Sequence, residues 1–259
     1  MNAAVLRRRL LAAALLVSSV AGPAAAQAPL LFVMDPFPPF ALVDNGMPGG
    51  PMAEMIQAAC AVLKRDCTLK QFPWRRALEM VERGEADGIF PLANLPERAQ
   101  QFQLMPPLIV SGYGIFVPEA SPLQQYTKPA DLDGYTVGAY GPSAATLVLD
   151  SLAASAPGIK TVVEIDNIRV LRMLSGLRYG PRSAALLNHD VGNHLLRSEG
   201  IAGVRLAGKV RRIEYCIGLS RSKFGSKEAA DFAAVFQRLI EGGQIRAIAT
   251  KYGVTAPER

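Results

Sequence analysis

The chain has 259 residues, of which half are hydrophobic and 19% charged, with a formal net charge of +6. That length can bury a generous core, either as one large domain or as two lobes of ordinary size. A mild positive excess without basic runs argues against a dedicated nucleic-acid binder.

The N-terminus carries Arg7, Arg8 and Arg9, then an apolar run from Leu10 to Val20 interrupted only by Ser18 and Ser19, then Ala24-Ala25-Ala26 before Gln27. Basic, apolar and small-residue regions in that order predict a cleavable export signal over residues 1–26. The run is shorter than the roughly 20 apolar residues of a spanning helix, and no cysteine follows it to carry a lipid. Nothing after residue 28 reads as a transmembrane segment, so a soluble periplasmic protein is expected.

Leu30 to Met34 is a short apolar run, which suits a strand covered on both faces. Pro36, Pro38 and Pro39 end it in an extended loop carrying Phe37 and Phe40. Met52, Met55, Ile56, Ala59 and Leu63 recur at helical spacing, and Thr68 to Phe72 returns to strand character. Trp74 to Arg83 reads as a helix stopped by Gly84, followed by strands at Ile89 to Leu92 and Leu108 to Val117. The second half repeats the alternation. Strands fall at Thr136–Tyr140, Thr161–Ile165, Ala184–Leu187 and Ile213–Leu219. Helices fall from Gly141-Pro142-Ser143 to Ala154, at Ile168–Leu177 and Asp190–Ser198, and over Ser226–Tyr252 with a break near Gly242-Gly243. Strands alternating with helices imply an α/β fold with mainly parallel sheets flanked by helices.

Export would place the three cysteines in an oxidising compartment. Cys60 and Cys67 flank a helix-to-strand turn at Lys64-Arg65-Asp66, a placement suited to a disulfide, whereas Cys216 lies in an apolar stretch as an unpaired buried thiol. His189 and His194, the only histidines, are five residues apart and do not share one helical face, so no metal site is expected. No cofactor is expected either.

Several segments together resemble the type 2 periplasmic solute-binding proteins, in particular family 3, the polar amino-acid branch of ABC transporter substrate-binding proteins. They are Asp35-Pro36-Phe37-Pro38-Pro39-Phe40, Trp74 through Gly84-Glu85-Ala86-Asp87-Gly88, and Pro96-Glu97-Arg98. In the second half they are Asp131-Leu132-Asp133-Gly134 leading to Val137-Gly138, then Gly141-Pro142-Ser143, and the tail from Gly218-Leu219-Ser220 to Lys251-Tyr252-Gly253. The resemblance spans nearly all of residues 29–254. It implies a two-lobed fold, with residues 28–112 plus 214–259 as lobe 1 and 113–213 as lobe 2, joined by a two-crossing hinge. It further implies a monomer that closes on a small solute and delivers it to an inner-membrane ABC permease. Some members carry a helix-to-strand cysteine pair at this spacing, which supports Cys60–Cys67.

The same resemblance assigns ligand contacts. Phe37 and Trp74 match aromatics that flank the ligand, while Phe40 is expected in the core. Arg98 matches the arginine that grips a ligand carboxylate, for which a planar guanidinium is suited. Ser143 opens a helix where N–H groups and a hydroxyl would meet an anion, a position equally suited to a plain helix cap. Two departures stand out. The loop before Arg98 shows Pro91, Ala93 and Leu95 where hydroxyls are usual, leaving Asn94 as its polar group. The position of the ammonium-binding aspartate falls on Asn188, with Asp190 nearby. The expected solute is therefore a small anion, an amino acid or related organic acid, with its amine grip in question.

A second class of function is catalysis, since the same fold hosts periplasmic dehydratases. His189, Asp190 and Asp35 are the residues that could serve as a general base. Ser220-Arg221-Ser222-Lys223 matches Ser-x-x-Lys, but its companion motifs are absent. A third class is an accessory or sensory protein acting in trans. Binding without catalysis is the reading favoured by the sequence.

Overall fold

The computed structural model describes residues 28–258; the export signal expected over residues 1–26 lies outside them. In chain order the elements are β1 (Leu30–Met34), β2 (Leu42–Asp44), β3 (Met47–Gly49), α1 (Pro51–Leu63), β4 (Cys67–Gln71), α2 (Trp74–Glu82), β5 (Gly88–Ala93), α3 (Pro96–Gln101), β6 (Phe102–Leu104) and β7 (Ile109–Pro118). Then come β8 (Thr136–Tyr140), α4 (Ala144–Ser155), β9 (Lys160–Glu164), α5 (Asn167–Ser175), β10 (Ser183–Asn188), α6 (His189–Ser198), β11 (Val204–Ser220), α7 (Ser226–Glu241) and α8 (Gln244–Lys251).

Nine strands form one sheet in the order β4-β1-β5-β11-β7-β10-β8-β9, with β6 added on β11. Each end of this sheet is parallel, through β1 with β4 and β5 and through β8 with β9 and β10. Parallel strands need helical crossovers, and the helices between them cover the faces. That explains why β5 and β10 are buried along their whole length. The two parallel ends are joined through the antiparallel strands β7 and β11. β11 is 17 residues long. It pairs with β7 from Val204 opposite Pro118 to Tyr215 opposite Ile109, and its far end pairs with β5. The architecture is thus the α/β fold expected from the sequence.

Besides the short strand β6 (Phe102–Leu104), three features were not anticipated. β2 and β3 form a separate hairpin whose turn places Asn45 at φ 48° and Gly46 at φ 77°, the left-handed pair that an Asn-Gly turn adopts readily. α3 is a single short turn begun by Pro96. The third is the first half of β11, residues Val204 to Arg212, where register shifts beside Gly208 and before Arg211 break the apolar alternation.

α1 ends with Lys64 in the left-handed region, φ 53°, and the chain turns back into β4. That turn brings Cys60 and Cys67 together as a disulfide with a Cα–Cα distance of 6.2 Å. Cys216 is a free, buried thiol, and burial pushes its pKa up to about 12. Among the described residues no helix is long and apolar enough to cross a membrane.

Candidate functional site

The parallel strands all end toward one crevice, the usual place for a ligand in an open α/β sheet. A cavity of about 580 Å³ lies there, within the size range of small-molecule sites. The loop after β1, the starts of α2, α4 and α5, one side of α6, and the middles of β7 and β11 all contribute to its wall. Both ends of the sheet and both connecting strands therefore share it.

Five aromatic side chains line it: Phe37, Trp74, Tyr113, Tyr140 and Tyr215. The proline-bounded loop after β1 holds Phe37 edge-on to Tyr215, with ring centroids 5.4 Å apart. Phe40 packs behind both, 1% exposed, as a core residue. Trp74 begins α2 and packs partly on the core beneath it, with its Nε1 buried and without a hydrogen-bond partner.

The four sequence-proposed contacts Phe37, Trp74, Ser143 and Asn188 line this cavity. Two of them are already engaged. The Ser143 hydroxyl donates to the Tyr140 carbonyl at 2.6 Å and accepts from the Ala145 N–H at 3.0 Å, so it caps α4. Asn188 is buried; its Oδ1 accepts from the N–H groups of Asp190 and Val191, each at 3.0 Å, capping α6. Its Nδ2 donates to Ser111 Oγ at 2.9 Å and to the Tyr215 hydroxyl at 3.0 Å. Tyr215 hydrogen-bonds in turn to Tyr113, and burial raises both phenols, Tyr113 to about 12.

The other three sit elsewhere. Arg98 is buried in α3, 9% exposed, with Nη1 donating to Gln101 Oε1 at 3.0 Å. Burial lowers its pKa, against the raising influence of Glu82 and Tyr113, and its side chain is not part of the cavity wall. Asn94 opens onto a separate concavity with Arg211, Arg212 and Glu214. Asp190 lies on the side of α6 facing β7, accepting from Ser111 Oγ at 2.6 Å and pairing with His189 Nδ1 at 3.1 Å. Burial raises the Asp190 carboxyl, but these bonds outweigh it and hold it below its usual value. Gly112 of β7 admits the His189 ring, since a Cβ there would stand 3.2 Å from Nε2 and 2.8 Å from the Arg211 carbonyl. Arg98 and Asn94 thus do not line this cavity, and the starts of α4 and α6 that do are capped by Ser143 and Asn188.

The charges actually present in the wall are carboxylates. Asp35, Asp166 and Glu199 line it together with His194, and no Lys or Arg does so among the described residues. Asp35 follows β1 and faces the Trp74 N–H at the start of α2. Its pKa is raised from 3.8 to about 6, chiefly by burial and further by the negative charge of Asp166, despite that N–H. Asp166 caps α5 by accepting from the Arg169 N–H at 2.6 Å. Glu199 is paired with Arg172 at 2.9 Å. Of the side chains considered for catalysis, only Asp35 reaches the cavity. In the Ser-x-x-Lys segment, Lys223 is tied to Asp87 at 2.8 Å and Ser220 is fully buried, so neither faces a cleft. Among the described residues no cluster of three or more His, Cys, Asp or Glu could hold a metal ion.

Asp166, Tyr113, Tyr140 and Tyr215 were not anticipated. Asp166 carried a signal, an aspartate just beyond a strand and before a helix, the position of a cap at a sheet's C-terminal edge.

The family model of the bacterial extracellular solute-binding proteins, family 3, matches residues 30–255. No curated protein matches the sequence significantly. Among solved structures, an ancestral arginine-binding protein bound to arginine is 19% identical, with a TM-score of 0.76 over 88% of this chain and 99% of that one. A histidine kinase sensor domain with similarity to periplasmic binding proteins is 20% identical, with a TM-score of 0.76 over 88% and 98%. The arginine-, lysine-, histidine-binding protein ArtJ from Geobacillus stearothermophilus is 18% identical, with a TM-score of 0.74 over 89% and 97%. At these identities the likeness is one of fold.

Proposed function

The chain belongs to the bacterial extracellular solute-binding proteins, family 3, and from that premise we propose that it captures a small organic solute by hinge closure and delivers it to an ABC-type permease. The moving bodies are residues 28–112 with 214–259 and residues 113–213, and β7 and β11 carry the hinge. Residues 1–26 direct the chain to the periplasm and are removed there. The family is one of binding proteins, and the cavity wall supports binding over turnover: its carboxylates other than Asp35 are already engaged, Asp166 in capping α5 and Glu199 with Arg172.

The observation that carries this reading is the shared wall. Phe37 and Trp74 come from one end of the sheet, Tyr140 and Asp166 from the other, and Tyr113 and Tyr215 from the two connecting strands. A solute touching both ends gains contacts only when they approach, and that difference in affinity is what drives closure. The test is a thermal-shift screen of amines, amino acids and organic acids, followed by small-angle scattering with the strongest hit. A ligand at 100 times its Kd adds about 2.7 kcal/mol to the folded state, and closure reduces the radius of gyration. Absence of any stabilising solute, or a saturating one that leaves the radius unchanged, refutes capture by closure.

A further inference from the structure

We propose, resting on the reading of this cavity as the solute site, that its ligand is a small organic cation held between Asp35 and Asp166 against the aromatic wall, with no carboxylate required of it.

The charge of the wall points this way. Glu199 is neutralised by Arg172, but neither Asp35 nor Asp166 takes part in an ion pair among the described residues. The two approach from opposite ends of the sheet, Asp35 after β1 and Asp166 after β9. They are near enough that Asp166 raises Asp35, and the charges of both raise the Tyr140 hydroxyl, whose main cause of elevation is burial. The same wall carries Phe37, Trp74 and Tyr140, aromatic rings of the kind that attract a cation. Asp35 is half-buried and in no ion pair, which makes its ionised form costly, and with the exposed Asp166 beside it a ligand cation supplies the missing partner.

The positive features that would receive an anion are already used. α4, α5 and α6 are capped by Ser143, Asp166 and Asn188, and the start of α2 faces Asp35. Arg98 bonds Gln101 and is not part of the cavity lining, although it lies near enough to Tyr113 to lower that phenol's pKa. Arg75 lowers the Tyr140 hydroxyl from outside the lining, and His194 is kept below its usual pKa by burial and Arg197. Neither places a positive charge in the wall at neutral pH.

The probes are agmatine and L-arginine, which differ in one carboxylate, with putrescine and choline as further cations and succinate and L-glutamate as anions. Calorimetry and thermal shift are run at pH 7.5 and pH 5.0. The expected result is binding of at least one carboxylate-free cation, with agmatine no weaker than arginine. Because a bound cation favours ionised Asp35, whose pKa is about 6 without ligand, binding below that pH must release a proton. Affinity then falls about tenfold from pH 7.5 to 5.0. Asp35→Asn removes that pH dependence, and Asp35→Asn and Asp166→Asn each weaken binding roughly tenfold or more, while circular dichroism reports an unchanged fold. An anion as tightest hit, or arginine bound with agmatine rejected, overturns this proposal and leaves solute capture standing. If none of the six shifts the midpoint but another solute in the wider screen does, the cation assignment again falls alone; if none does in either, both fall.

Discussion

Asp35→Asn should make the ligand-free protein more stable at neutral pH, although it removes a group proposed to bind. Asn keeps an acceptor for the Trp74 N–H and deletes only the charge. The folded-state pKa is near 6 against 3.8 for the free side chain, so between those values the native protein binds more protons than the unfolded chain. Stability contributed by the protonated carboxyl is therefore present at low pH and lost as pH rises through about 6. At full weight such a shift would cost ~3 kcal/mol in the ionised form. Asp35 is only half-buried, and solvent screening brings a realistic figure down to about 1 kcal/mol. For a protein of this size that is a rise of roughly 3 °C in Tm. Scanning calorimetry of both proteins at pH 7.5 and 4.5, without ligand, should show that gain at the higher pH and only about a third of it at the lower, since pH 4.5 lies between the two pKa values. Lower stability of the variant at pH 7.5, or a gain equal at both pH values, would refute the charge argument.

Three other outcomes are expected. Asn188→Ala should cost about 2–4 kcal/mol in urea denaturation, from loss of the α6 cap and from the Tyr215 hydroxyl left short of a buried donor; a loss under ~1 kcal/mol would mean the network is replaced by water. Replacing Cys60 and Cys67 together by serine should lower stability by about 2 kcal/mol, because the bridge closes so short a loop, and reducing the native protein with dithiothreitol should reproduce that loss. Trp74 is the only tryptophan and lines the cavity, so a saturating solute should shift its emission and shield it from iodide; an unchanged signal removes Trp74 from the site.

The fold was legible where period and burial agree. β8 was read to the residue, and α7 and α8 were read with their break, because apolar positions there follow the core directly. β11 was read only from Ile213 because its first half lies on β7 with Lys209, Arg211 and Arg212 partly or fully exposed, and bulges disturb the alternation. The β2–β3 hairpin has strands of three residues, too short for a period, and only Asn45-Gly46 announces it. In the site, three of the four proposed contacts that line the cavity lie beside local punctuation, Phe37 among prolines, Trp74 after Pro73 and Ser143 after Gly141-Pro142, while Asn188 at the end of β10 does not. Tyr113 and Tyr215 have no such marker. They lie mid-strand, and only the pairing of β7 with β11 brings them together.

Asn188 shows why a motif position alone does not settle chemistry. Counted along the sequence it occupies the place of an ammonium-binding aspartate, and its neutrality suggested a ligand without an amine. In three dimensions its amide is committed to the fold: the oxygen to the first turn of α6, the nitrogen to Ser111 of β7 and Tyr215 of β11. An aspartate there would keep the cap but replace the two donated bonds by bonds accepted from the hydroxyls, and would place its charge in a buried spot where charge is expensive. The amide instead pins α6 to both connecting strands, and Asp190 and His189 extend the same network along β7. Negative charge in the cavity is supplied by Asp35 and Asp166 on the two outer walls, where approach of the sheet's ends would bring them onto a common ligand. Under the proposed function, recognition charge and hinge stiffness fall on different residues, so Asn188 substitutions should alter stability and closure rate more than ligand choice, and Asp35 or Asp166 substitutions the reverse.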